Sequence, residues 1–236
     1  MIFVIFISIV IGQISGDFVR DLKSKTSLEI QKQAAEDVIN RLIPEFTDRL
    51  EIFIDPKLKT NTFKLFKRNG SKLKIYGYDG VSACKGFNYY LKYFLNGHIS
   101  WDGNNLDHIG IVDWPDVSIT STSKSKFIYY QNVCTWGYSF TWWTWKDWRK
   151  HIDWMALMGI NLSLAPIQEE IWFRVYKQIG LTEEEILDHF SGPAFLPWFK
   201  LRTRRLQWMN MCKGWNENPN EYRMMLEQLT NNSKKP

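Results

Sequence analysis

Asn132 and Cys134 stand two residues apart near the end of an apolar, aromatic run, KFIYYQNVCTWGYSF, that begins at Lys126. Alternate residues of a strand share a face, so if Phe127 to Cys134 is extended, both side chains project to the same side where the run turns polar and glycine-containing. An amide donates and accepts at once, and a thiol offers a small, weakly polar wall. Such a pair suits hydrogen-bond recognition of a polar ligand. It does not suit covalent chemistry: no histidine lies in a matching motif, and the nearest, His151, falls on the following helix. Capping the strand or filling a core would need the same residue types, and the spacing leaves that alternative open. Gln168 and Glu169 follow a second short strand, where Glu169 either orients a neighbour or is an acid favoured by a helix N-terminus. The three cysteines, Cys84, Cys134 and Cys212, have no CxxC or CxxH spacing, so no metal site or disulfide framework is indicated and no cofactor is expected.

The elements that would position these residues are two strand–helix units in succession. After the first strand, Thr144 with Asp147 three residues on reads as a helix start. Trp145, Trp148, Ile152 and Met155 then fall on one helical face, and Gly159 can end it. Ile160 to Ala165 is a second strand stopped by Pro166, and Ile171, Trp172, Val175, Tyr176 and Ile179 give a second helix closed by Gly180. Parallel strands need such crossovers, so the pattern implies a parallel sheet or barrel with its binding end at the strands' C-termini. Among the twelve tryptophans, Trp142, Trp143, Trp145 and Trp148 crowd the first helix start. Trp145 and Trp148 are expected to pack on the sheet.

The strings YYQNVCT, SFTWW, IDWMALMGINLSLA, QEEIW and RVYKQIGLTEEEI, followed by FSGPAFLPW, are similar to the opening of the catalytic barrel in the lysosomal alpha-N-acetylglucosaminidase family. The resemblance is weak from Phe18, strong from Tyr129 and stops after Trp198. It implies an α/β fold: a small N-terminal α/β domain followed by the first βα units of a (β/α)8 TIM barrel, truncated. It also implies that Asn132, Cys134 and Trp198 contact a terminal N-acetylglucosamine. Glycoside hydrolysis of the usual kind needs two carboxylates, about 5 to 5.5 Å apart when configuration is retained. The family carries both as glutamates on later barrel strands, so no catalytic residue is assigned here. Asn216-Glu217 is superficially similar to the family's acid/base motif, but no apolar strand precedes it and it sits too close to the first two βα units. It reads as a solvated turn.

The preceding chain is read as a leader and a small domain. Ile2 to Ile11 is an apolar run followed by Gly12, Ser15 and Gly16, which predicts a signal peptide over residues 1–16. Spanning a membrane takes about 18 apolar residues, so no stable insertion is expected after cleavage. The N-terminal α/β domain is placed at 18–103: a helix from Ser27 to Ile43, with Ile30, Ala34, Val38 and Leu42 on one face, then strands at 50–54, 62–66 and 72–76. A helix follows from Val81 to Leu95, then an edge strand and turn at 97–103. Asn69-Gly70 is a good hairpin turn, and Asn69-Gly70-Ser71 and Asn161-Leu162-Ser163 match the N-glycosylation sequon, the first expected to carry a glycan on an exposed turn and the second to stay bare inside a buried strand. Residues 104–126, rich in Asp, Ser and Thr, read as a linker, 127–198 as the partial barrel and 199–236 as a divergent tail beginning at a basic cluster, Lys200 to Arg205. Taken alone, the 18–103 piece is expected to be the more autonomous unit.

With 236 residues and 44% hydrophobic content the chain can bury a sizeable core, and disorder throughout is excluded. The net charge of +5 is scattered rather than striped, so it marks no nucleic-acid partner. The resemblance then implies the N-terminal portion of a glycoside hydrolase acting on terminal N-acetylglucosamine of heparan-sulfate-type glycans. Its route would be the secretory pathway, to a lysosomal or extracellular destination, and it would be inactive over this stretch. A secreted non-catalytic glycan-binding protein and a non-functional truncated product are the alternatives.

Overall fold

The computed structural model describes residues 24–131, 140, 143–163 and 168–189. Helix α1 (Leu28–Leu42) starts at Ser27, whose hydroxyl accepts a bond from the Ile30 N–H at 3.3 Å. Ala34, Ala35, Val38 and Ile39 are its buried stripe, while Ile30 is 44% exposed, so the apolar face lies one residue round from the expected one. A 3₁₀ turn (Pro44–Arg49) leads into β1 (Leu50–Ile54), β2 (Thr62–Lys67) and β3 (Leu73–Gly77). These match the expected strands to within a residue. The β2–β3 hairpin turns through Asn69 (φ 40°) and Gly70 (φ 70°), both in the left-handed region that a two-residue hairpin loop requires.

Helix α2 (Gly80–Phe94) is capped by Asp79, whose carboxylate accepts the Ser82 N–H at 2.7 Å. Its first turn sits directly on the end of β3: a Cβ at Gly77 would lie 2.5 Å from the Ala83 nitrogen, so only glycine fits there. The fourth strand is not at 97–103, where only an Ile99–Asn104 bridge forms. It is β4 (Val117–Thr122), inside the stretch expected as a linker, and it pairs antiparallel with β2 along its whole length. The mixed sheet runs β1-β3-β2-β4, with β1 parallel to β3 and the other pairs antiparallel. Helices α1 and α2 pack on the sheet.

Helix α3 (Trp145–Met158) begins as expected, the Asp147 carboxylate accepting from the Thr144 N–H at 2.8 Å and the Thr144 hydroxyl at 2.6 Å. It ends at Gly159 with φ 76°. α3 lies against α2, and one core runs from Ala35 and Val38 through Ile52, Phe63 and Phe87 to Trp148, Ile152, Met155 and Ile160. Burying one such aliphatic or aromatic side chain contributes roughly 1.5–3 kcal/mol. Arg41 on α1 adds a two-pronged ion pair to Asp153 on α3, both contacts at 2.8 Å. Strands β5 (Tyr129–Tyr130) and β6 (Leu162–Ser163) pair in parallel, the crossover geometry of a βα unit. Helix α4 (Gln168–Gln178) follows β6. Helix α5 (Glu183–His189) starts with a reciprocal Thr182–Glu185 capping box, and Phe173 and Ile186 form a small separate cluster.

Candidate sugar-binding end of the first barrel strands

The N-terminal ends of β5 and β6 are set in place by a pair of asparagines. The Asn161 carbonyl oxygen accepts the Ile128 N–H at 2.8 Å, and its amide donates to Asn61 Oδ1 at 3.0 Å and to the Lys126 carbonyl at 2.9 Å. Asn61, buried and at φ 57°, donates in turn to the Ser125 and Lys126 carbonyls at 2.8 and 2.7 Å. The entry of β5 is thereby fixed to β6 and to the loop before β2. The sequence pattern puts Asn161 inside the second strand, whereas it stands just before β6; that two asparagines a hundred positions apart would meet was not legible.

Beyond the pair, Tyr130 turns toward α3, its ring centroid 5.2 Å from Trp154 and 5.5 Å from His151. Strict alternation would send Asn132 and Cys134 to the same side as Tyr130. Between Tyr130 and Asn132, however, Gln131 is buried at φ 110°, a conformation that a residue with a side chain adopts only at a cost of about 1–3 kcal/mol. The extended repeat is broken at that residue. The Tyr129 hydroxyl holds the turn by donating to the Gln131 carbonyl at 3.0 Å.

His151 is 1% exposed and sits among the rings of Trp101, Tyr130, Phe140, Trp143, Trp148 and Trp154 at 5.0–6.4 Å between centroids. Neither ring nitrogen has a hydrogen-bond partner among the described residues. Burial pushes its pKa down to about 4, so it is neutral at physiological pH. It packs α3 against Tyr130 and against Trp101 of the small domain. Trp148 is buried in the core and Trp145 packs half-buried against it, with α3 lying on α2 rather than on the sheet as expected, and Trp143 lies tilted on Phe140 at 4.0 Å between centroids.

Asn132, Cys134 and Trp198 lie outside the described residues, as do Trp142, Glu217 and the basic cluster from Lys200. Gln168 and Glu169 open α4, which places their backbone at the binding end of the βα units. Among the described residues no group of three or more His, Cys, Asp or Glu could hold a metal, and no helix is long and apolar enough to cross a membrane. Cys84 is buried among apolar neighbours, which raises its thiol pKa well above normal and makes it unreactive. A cleft of about 630 Å³ on the small domain, lined by Arg49, Lys67, Asn69, Lys72, Trp114 and Asp116, is remote from the barrel strands. Its Lys67 and Asp116 already face each other at 3.7 Å.

Residues 33–115 match the alpha-N-acetylglucosaminidase (NAGLU) N-terminal domain and residues 128–231 match the TIM-barrel domain of the same family. Human alpha-N-acetylglucosaminidase is 40% identical over 158 residues, which are 66% of this chain and 21% of that protein. Among solved structures, a family 89 glycoside hydrolase from Clostridium perfringens in complex with PUGNAc superposes with a TM-score of 0.68 at 26% identity, over 83% of this chain and 24% of that one. A form of the Clostridium perfringens enzyme with two glutamates replaced by glutamine, in complex with its substrate GlcNAc-alpha-1,4-galactose, gives 0.68 at 27% identity over 82% of this chain and 24% of that chain. The chain thus spans between a fifth and a quarter of the length of these relatives.

Proposed function

Because the chain belongs to the alpha-N-acetylglucosaminidase family, we propose that it is the N-terminal portion of a glycoside hydrolase that removes terminal N-acetylglucosamine from heparan-type glycans. The observation that carries this reading is the order of the two family domains along one chain, over a small α/β domain and a first barrel helix that share a single core, with β5 and β6 paired in parallel.

In this reading the stretch supplies binding and orientation. Asn132 hydrogen-bonds the sugar hydroxyls, Cys134 forms a small wall and Trp198 offers an aromatic face to the sugar C–H surface. Lys200, Arg202, Arg204 and Arg205 attract the polyanionic remainder of the glycan, an attraction that salt screens. Proton donation to the leaving oxygen and attack on the anomeric carbon need the glutamate pair of the later barrel strands. None of the described residues substitutes for it. Residues 1–16 direct the chain to the secretory pathway and are removed there.

Purified chain assayed on an aryl α-N-acetylglucosaminide is expected to show turnover at background, unchanged by Glu217→Gln. Turnover above background that disappears in Glu217→Gln would overturn the assignment of catalysis to the later strands.

A further inference from the structure

Two Asn-x-Ser sequons fall within the described residues, and the fold treats them in opposite ways. Asn69 is at the tip of the β2–β3 hairpin, exposed, in a turn closed by the Ser71 N–H donating to the Arg68 carbonyl at 2.9 Å. The hairpin uses only its backbone: the Asn69 N–H donates to the Asp116 carboxylate at 3.0 and 3.2 Å. A Cβ placed on the adjacent Gly70 would meet nothing within 4 Å, so the space around the tip is open. Asn161 is half-buried, and both amide hydrogens and the carbonyl oxygen are spent on Asn61, Lys126 and Ile128. Those bonds hold the first strand of the barrel in register.

We propose that Asn69 is an N-glycan acceptor on the small domain and that Asn161, with the same sequon, is kept bare by the fold. The donor is an oligosaccharide linked through a diphosphate to a membrane lipid. The Asn69 amide nitrogen forms a bond to C1 of the first N-acetylglucosamine, the bond from C1 to the diphosphate oxygen breaks, and the lipid diphosphate leaves with the electron pair. One amide proton passes to a base of the transferase, with no net oxidation or reduction. At Asn69 the lost proton is in no bond of the fold. At Asn161 the same substitution removes a donor to Asn61 or Lys126 and places a sugar inside the β5–β6 contact. The amide that anchors the barrel strand and the amide that accepts a glycan are therefore mutually exclusive uses of one residue type.

The proposal rests on entry into the secretory pathway, so the test separates the two. The full chain is expressed in mammalian cells with its own N-terminus and, in parallel, with a strong secretory leader in place of residues 1–16. Soluble protein from the secretory lumen is treated with peptide N-glycosidase in ¹⁸O water and mapped by peptide mass spectrometry. Peptide mapping is needed because a third sequon, at Asn231, lies outside the described residues. With the strong leader, the labelled Asn-to-Asp conversion is expected at Asn69 and not at Asn161, is lost in Asn69→Asp and retained in Ser71→Thr. An unmodified Asn69 in the leader-driven chain, or a modified Asn161 in soluble protein, overturns the proposal. Modification with the strong leader but not with the native N-terminus would overturn the export reading alone and leave the acceptor assignment standing.

Discussion

His151 is neutral because it is buried, and that fixes how it responds to acid. Its pKa is about 4 in the folded chain against 6.5 for an exposed histidine. Between those values the unfolded chain binds a proton that the folded chain does not, so stability falls as pH drops from 6.5 through 4. The full effect is roughly 3 kcal/mol. Urea denaturation of the protein and of His151→Phe at pH 7 and pH 4.5 is expected to show a smaller acid loss in the variant, by about 2 kcal/mol, because phenylalanine fits the aromatic cage without a proton to bind. An equal loss in both would place the acid sensitivity elsewhere. The sequence placed His151 on the helix after the first strand, away from any nucleophile, but not in a cage. Three of the surrounding rings, Trp101, Tyr130 and Phe140, come from other parts of the chain, and no local spacing records such a meeting. Gln131 is a similar case. Its backbone break is invisible in a run of residues with strong strand preference, since the surrounding fold imposes it.

At the scale of elements, the helices were legible because their ends are written in residues with one physical job each. Ser27 and Thr144 open helices through a hydroxyl or through the acid three residues on, and Gly159 and Gly180 close them at φ 76° and 99°; the last helix, opened by Thr182, was not foreseen. Strand β4 was missed although Val-Ser-Ile-Thr-Ser-Thr alternates. Only Val117 in it is fully buried, and a Ser- and Thr-rich edge strand has the composition of a linker. Besides the shared core, the Arg41–Asp153 pair ties α3 to α1, its side chains only 22% and 15% exposed. Asp153→Ala would leave a largely buried guanidinium without its carboxylate, and is expected to lower unfolding stability by about 2–4 kcal/mol. Arg41→Met with Asp153→Leu, which removes both charges and fills the space, should recover most of that. Loss of less than about 0.5 kcal/mol in Asp153→Ala, the range of an ordinary surface change, would show the pair to be incidental.

For the whole molecule, the small domain and the first βα unit are one body. A self-standing 18–103 unit, expected from the pattern of strands and helices, would leave β2 without β4 and α2 without α3. The same continuity gives the first barrel strands a rigid support, with β5 anchored at one end by Asn61 and Asn161 and packed along α3 by Tyr130. Under the proposed function, recognition of one sugar by such a strand end is expected to be weak. A hydrogen bond to an uncharged sugar contributes only about 0.5–1.5 kcal/mol, whereas a Kd of 1 mM needs about 4.1 kcal/mol.

The central claim, that this stretch holds the N-acetylglucosamine end of the substrate while chemistry belongs to later strands, is tested most directly by saturation-transfer NMR of the full chain with N-acetylglucosamine. The account predicts transfer to the sugar with a Kd of about 1 mM or weaker, insensitive to salt and abolished by Asn132→Ala. Transfer that survives Asn132→Ala unchanged, or no transfer at all to folded protein, would contradict it.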